Sequence, residues 1–151
     1  MADISPEVLQ QVTVFSTCTP EQLALLARAA TISEHSVGEE LTSQGSIGRH
    51  FHLLLEGGAV VDRSGQTIAT VSAGDFVGEI ALLGGGRSTA TVRATAPIRC
   101  LTLERQAFWE VLEAEPAIAL RILEVVCRRL EQAVSPAANL AGAWGSVFDE
   151  D

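Results

Sequence analysis

Glycine punctuates the middle of this chain at intervals too short for helices. From Thr31 to Leu103 it recurs at Gly38, Gly45, Gly48, Gly57, Gly58, Gly65, Gly74, Gly78 and the run Gly84-Gly85-Gly86. The segments between are short and rich in β-branched and apolar residues: residues 31–37, 40–43, 51–56, 59–63, 67–71, 90–95 and 98–103. Strands of this length at this spacing predict a sandwich or roll. Arg63-Ser64-Gly65-Gln66 reads as a tight hairpin turn, because glycine adopts positive φ freely.

Helical signals flank this β-rich stretch. Ser5-Pro6-Glu7 is a cap followed by a first-position proline and predicts a short helix through Val12. Thr19-Pro20-Glu21-Gln22 repeats the signal with glutamine at the third helical position, a capping box, and Leu23, Leu25 and Leu26 follow as an apolar face. After the strands, Phe108, Val111 and Leu112 mark one helix that ends near Pro116. A longer helix follows with Ile118, Ile122, Leu123, Val126, Leu130 and Val134, more apolar surface than one packing stripe uses. The expected organisation is one domain over residues 1–134: helical to 30, a β-roll over 31–103, two helices over 104–134. An acidic tail occupies 135–151.

Charge narrows the function. The formal net charge of −9 argues against sequence-independent DNA or RNA binding, which relies on clustered cations. The same field repels anions, so an anionic ligand needs a local positive site. No apolar run reaches the ~18 residues of a membrane span. Residues 1–6 carry no secretory signal pattern, so a cytoplasmic protein is expected. Cys18, Cys100 and Cys127 are odd in number and form no CxxC motif. Cys127, at helical spacing with Leu123 and Leu130, is expected to be a small buried apolar residue.

The segment running from Gly74-Asp75-Phe76-Val77-Gly78-Glu79-Ile80-Ala81-Leu82-Leu83 through Gly84-Gly85-Gly86-Arg87-Ser88-Thr89 to Ala90-Thr91-Val92 resembles the phosphate-binding cassette of cyclic-nucleotide-binding domains. Val37-Gly38-Glu39-Glu40-Leu41, Gln44-Gly45 and Leu55-Glu56-Gly57-Gly58-Ala59-Val60 are similar to the hairpins that precede the cassette in that family. Leu101-Thr102-Leu103-Glu104-Arg105 and Phe108 are similar to the strand and helix that follow it. The resemblance runs from about Val14 to Leu130. It implies a mainly β fold: an eight-stranded β-roll, or jelly roll, with N-terminal helices and two C-terminal helices. It also implies a regulatory sensor, not an enzyme, that binds a cyclic nucleotide monophosphate (cAMP or cGMP) and repositions its C-terminal helix. No separate cofactor is expected.

The ligand-binding positions so implied are Gly78, Glu79, Ile80, Ala81, Arg87, Ser88, Thr89 and Ala90. Gly78 lets the backbone approach the ligand with no Cβ between. Glu79-Ile80-Ala81-Leu82 opens a helical turn whose free N–H groups favour an anion. In the family, the glutamate at the position of Glu79 accepts the ribose 2′-hydroxyl. The family's cassette closes on proline, then an arginine that holds the phosphate. Aligned on Ala90-Thr91-Val92, Arg87 stands at the proline and Ser88 at the arginine. Two readings stay open: Arg87 swings onto the phosphate through the three glycines, or the phosphate arginine is missing. Thr89 offers a hydroxyl to the phosphate or to a guanine edge.

Two other classes compete. The first is a roll that has lost its ligand and serves as a protein-interaction module. The second is a cupin-like metal site, since His50-Phe51-His52 with Glu56 places two histidines on one strand face. That motif lacks a third histidine after Gly78, and half-exposed strand histidines are expected instead. No Ser/His/Asp set, P-loop or carboxylate pair argues for an enzyme. The partners expected are a cyclic nucleotide, a regulated protein and a second copy docked through the C-terminal helix. No nucleic acid and no membrane are expected. Trp144 and Phe148 are candidates to stack on a purine.

Overall fold

The computed structural model describes residue 9 and residues 12–134. Most of the helix expected from Ser5 through Val12, and all of the acidic tail with Trp144 and Phe148, lie outside the described residues. A 3-10 turn at Thr13–Phe15 leads to α1 (Pro20–Ala29), then β1 (Thr31–His35), β2 (Glu40–Thr42), β3 (His50–Glu56) and β4 (Gly58–Arg63). Next come β5 (Gln66–Ser72), β6 (Phe76–Val77), α2 (Glu79–Gly84), β7 (Thr91–Ala94), β8 (Ile98–Glu104), α3 (Arg105–Ala114) and α4 (Pro116–Val134).

The eight strands form two four-stranded antiparallel sheets, ordered β1-β8-β3-β6 and β2-β7-β4-β5. This is the roll with flanking helices that the resemblance implies. Ser64 and Gly65 join β4 to β5 with φ of 52° and 83°, the paired positive angles of a two-residue hairpin. The strand that the periodicity passes over is β6, only two residues long and set inside the cassette.

The first sheet has a core on each face. Leu54, Val77, Ile98 and Cys100 point into the roll against Ala59, Val71, Val92 and Ala94 of the second sheet. Phe51, Leu53, Phe76, Leu101 and Leu103 point the other way, under the helices, with Leu23, Phe108, Val111, Ile118 and Ile122. Phe51 stacks on Phe108 at 5.0 Å between ring centroids and lies 5.3 Å from Phe76, so one aromatic row joins α3 to the strand before the cassette.

The helices follow their caps. Thr19 Oγ1 accepts the Gln22 N–H at 3.2 Å and Gln22 Oε1 accepts the Thr19 N–H at 2.9 Å, closing the capping box. Gln22 Nε2 then donates to Glu115 at 2.8 Å and ties α1 to the joint between α3 and α4. In α4, Ile118 and Ile122 are buried, whereas Leu120, Leu123 and Leu130 are more than half exposed. Cys127 shares that exposed side, contrary to the buried position expected from its spacing. Its spacing with Leu123 and Leu130 is real, but that stripe faces solvent and the covered stripe is the one through Ile118 and Ile122. Among the described residues no helix is long and apolar enough to cross a membrane.

Candidate functional site

The helical turn of the cassette begins where β6 ends. Gly78 caps α2 with φ of 96°, and a Cβ on it would lie 2.2 Å from the His50 carbonyl oxygen. Only glycine meets both conditions, so this residue sets how closely α2 can sit beside β3. A second close approach comes from Gly48, where a Cβ would fall 2.2 Å from that of Ala81. Gly78 thus packs directly on the backbone of β3, and Gly48 leaves room for the Ala81 side chain in the first turn of α2.

Beside this contact lies a cavity of about 190 Å³, lined by Ser43, Ser46, Arg49 and His50 from the segment that enters β3 and by Gly78 and Ser88 from the cassette. Of the eight positions expected to bind ligand, Gly78 and Ser88 line this cavity. Ala81 and Ala90 are buried beside it, and the Ala90 carbonyl accepts from Thr42 Oγ1 at 3.1 Å. Ile80 is 48% exposed on the outer side of α2. Thr89 is exposed, with its carbonyl held by Arg63 Nε at 3.2 Å.

The cassette's closing residues settle into a second contact with the loop before β3. The Ser88 N–H donates to Ser46 O at 2.8 Å, and the Gly45 N–H donates to Ser88 O at 2.9 Å. Arg87 is exposed and its Nη1 donates to the Gly45 carbonyl at 2.8 Å. Its guanidinium is thus engaged on the loop, and at the cavity the cassette contributes Ser88 and no cation.

Glu79 is 2% exposed. Burial pushes its carboxyl above the usual carboxylate range, and the guanidinium of Arg129 pulls it back. Arg129, on α4, donates from Nη1 to Glu79 Oε2 at 3.1 Å and from Nη2 to the Phe76 carbonyl at 2.5 Å. The guanidinium carbon also sits 4.5 Å from the centre of the Phe76 ring, a cation–π distance. Trp109 Nε1 donates to the Leu82 carbonyl at 3.2 Å, so α3 holds the other end of α2. The C-terminal helices thus grip the cassette at two points, one of them its single buried carboxylate.

Arg129 and Arg49 were absent from the sequence-derived site. Arg129 is fifty residues from Glu79, and one polar residue on a long amphipathic helix looks like any solvated arginine. Arg49 lies in a glycine-bounded turn outside the cassette. Its adjacency to Gly48 and to the start of a strand was the available signal.

All three histidines meet in the mouth of the roll, beyond the cavity. His52 is 5% exposed, not half-exposed as expected, because the inward face of β3 is covered by the second sheet. His52 Nδ1 lies 3.0 Å from Thr102 Oγ1, which lies 2.7 Å from Ser33 Oγ, which lies 3.0 Å from His35 Nε2. The ligating atoms of His35, His52 and Cys100 fall within 4.8 Å of one another, but both ring nitrogens of His35 and Nδ1 of His52 already hold hydrogen-bond partners. Glu56, the carboxylate of the cupin-like reading, sits at the far end of β3 beside Arg99 at 3.9 Å, away from His50 and His52.

Comparison with known proteins assigns the class. A model of the cyclic nucleotide-binding domain matches residues 34–115, and the chain belongs to that family. A cAMP-dependent protein kinase regulatory subunit of Hypocrea atroviridis is 30% identical over 104 residues, covering 69% of this chain and 22% of the relative. This chain therefore spans about a fifth of that curated relative. The Thermus thermophilus catabolite activator protein superposes with a TM-score of 0.76 at 25% identity, covering 85% of this chain and 62% of its own. A second solved chain, described as Sp-2Cl-cAMPS bound to PKAR CBD2, gives 0.73 at 26% identity over 85% of this chain and 88% of its own.

Proposed function

We propose that this chain binds a cyclic nucleotide monophosphate, cAMP or cGMP, in the cavity between Arg49 and Ser88, and passes the binding event to α4 as a cytoplasmic regulatory sensor. The observation that carries the reading is the Glu79–Arg129 pair. It puts the carboxylate expected to accept the ribose 2′-hydroxyl in direct contact with the helix expected to move. A carboxylate has about four acceptor positions, so Glu79 can hold Arg129 and still accept a hydroxyl. A ligand that bonds Glu79 changes the strength of its hold on Arg129. That gives the nucleotide different affinities for the two placements of α4, which a switch requires. The cavity of about 190 Å³ is smaller than the ~300–1,000 Å³ of sites that enclose a whole small molecule. It suits the sugar phosphate and leaves the base outward. The relatives named as cAMP-dependent regulatory subunits and the neighbour holding a cAMP analogue support the ligand class and a regulated protein partner. A second copy would dock on the exposed side of α4, at Leu120, Leu123 and Leu130.

Calorimetric titration tests this directly. Wild-type protein is expected to bind a cyclic ribonucleotide more tightly than its 2′-deoxy analogue. Glu79→Ala is expected to weaken the ribonucleotide roughly tenfold, the worth of one hydrogen bond to a charged group. It should also erase the preference for ribose; a preference that survives unchanged removes Glu79 from the site. Nucleotide should also slow amide exchange over residues 78–90 and in α4 together. Slowing confined to the cassette would leave binding without a transmitted signal.

A further inference from the structure

An anion entering a protein of net charge −9 meets repulsion everywhere except at a local cation. All ten basic residues of the chain are arginines, so the choice of that cation reduces to what each guanidinium touches. Arg87 is held by the Gly45 carbonyl. Arg129 is held by Glu79 and Phe76. Arg105 donates from Nη2 to the Gly48 carbonyl at 2.5 Å. Arg63 is held by the Thr89 carbonyl.

Arg49 differs from all of these. It lines the same cavity as Gly78 and Ser88. Its backbone is fixed, because its carbonyl accepts the Arg105 N–H at 2.9 Å and the preceding carbonyl accepts the Arg105 guanidinium. Its side chain has no hydrogen bond or ion pair to any described residue. No aspartate or glutamate lines that cavity. A guanidinium on a rigid stem, in a wall with no acid and several hydroxyls, is a site short of one negative charge.

We propose that Arg49 supplies the cation that holds the ligand's cyclic phosphate, in place of the arginine missing from the position of Ser88. Resting on the nucleotide-binding reading, it specifies how that site takes a singly charged cyclic phosphodiester. The guanidinium fork meets two phosphate oxygens from the β3 side. Ser88 lines the same cavity from the cassette, and Ser43 and Ser46 line it from the loop before β3. The cation thus comes from the loop before β3 and not from the cassette.

Calorimetric titration with cAMP and with cGMP at fixed salt tests this on the full chain. Arg49→Gln is expected to weaken the better-bound nucleotide tenfold or more, and Arg49→Lys to recover part of the loss. A neutral phosphate triester of the same nucleotide should bind wild type and Arg49→Gln alike, which a merely structural role for Arg49 would not produce. Adding Ser88→Arg to Arg49→Gln should restore affinity by placing the charge on the other wall. Equal binding of cAMP or cGMP by wild type and Arg49→Gln overturns the proposal and leaves nucleotide binding standing. A large loss on Arg87→Gln with none on Arg49→Gln also overturns it, by giving the cation to Arg87. Failure of the folded wild-type protein to bind either nucleotide overturns both this proposal and the functional reading beneath it.

Discussion

Gly78→Ala is expected to cost about 3 kcal/mol of stability and to weaken nucleotide binding roughly a hundredfold. Two penalties combine. An L-residue held at φ of 96° pays ~1–2 kcal/mol for the left-handed backbone. The added methyl also lands 2.2 Å from the His50 carbonyl, which is strand backbone and cannot rotate aside, so α2 must retreat. Retreat pulls Gly78 off the cavity wall and carries Glu79 away from its place beside Arg129. Losing one charged hydrogen bond and misplacing a second is worth about 3 kcal/mol, hence the hundredfold figure. Gly74→Ala is the matched control. It has the same φ of 96° but open space where its Cβ would go, so it pays the backbone strain alone. Thermal melting and calorimetry on the pair decide the matter. If the two variants lose equal stability and equal affinity, close packing of Gly78 on β3 is not what builds the site.

Acidification from pH 6.5 to 4 is expected to remove about 3 kcal/mol of stability through His52. Burial, helped by His35 and His50 nearby, pushes the imidazole down to about 4 from its ordinary 6.5. The groups facing it are those two histidines, Cys100 and the Thr102 hydroxyl, with Glu104 at the end of β8. The unfolded chain takes up a proton at its ordinary value and the folded chain does not. Stability is therefore full above pH 6.5 and declines as pH falls toward 4, at ~1.4 kcal/mol per unit. Glu39 and Asp62, both held low by hydrogen bonds, lose their contributions only below the ordinary carboxylate range. Glu79 acts with the opposite sign, since its raised carboxyl takes up a proton first in the folded state. His52→Gln keeps a partner for Thr102 and cannot titrate. The difference between wild type and this variant, from urea melts across the range, isolates the contribution of His52. An equal decline in both proteins would assign the slope to other groups.

Elements whose signals are local were legible in the sequence. The capping box at Thr19 and Gln22 and the Ser64-Gly65 hairpin each depend on residues within four positions of one another, and the glycine-spaced strands on residues within about ten. So did the start of the cassette, where Gly78 is followed by a glutamate. Features that depend on distant residues were not legible. The two-residue β6 exists because Phe76 and Val77 pair with Leu53 and His52, and no periodicity is visible in two residues. Cys127 faces solvent although its spacing suggests a core position, because spacing identifies a stripe but not which stripe is covered. His52 was misjudged because its face of β3 looks toward a second sheet. The cassette's motif pointed to Arg87 and Ser88 and was silent about the wall across the cavity, which belongs to another part of the chain.

Strand β3 reads into two different interiors at once. Phe51 and Leu53 belong beneath the helices, while His52 and Leu54 belong inside the roll. A single inserted or deleted residue at the start of this strand would exchange the two sets. Imidazole would then sit against the aromatic row, and the Phe51 ring would fall in the polar mouth of the roll. Length variation among homologous chains should therefore be absent from residues 48–54 and concentrated at the Ser64-Gly65 turn, where one exposed hairpin can grow without reassigning any buried side chain.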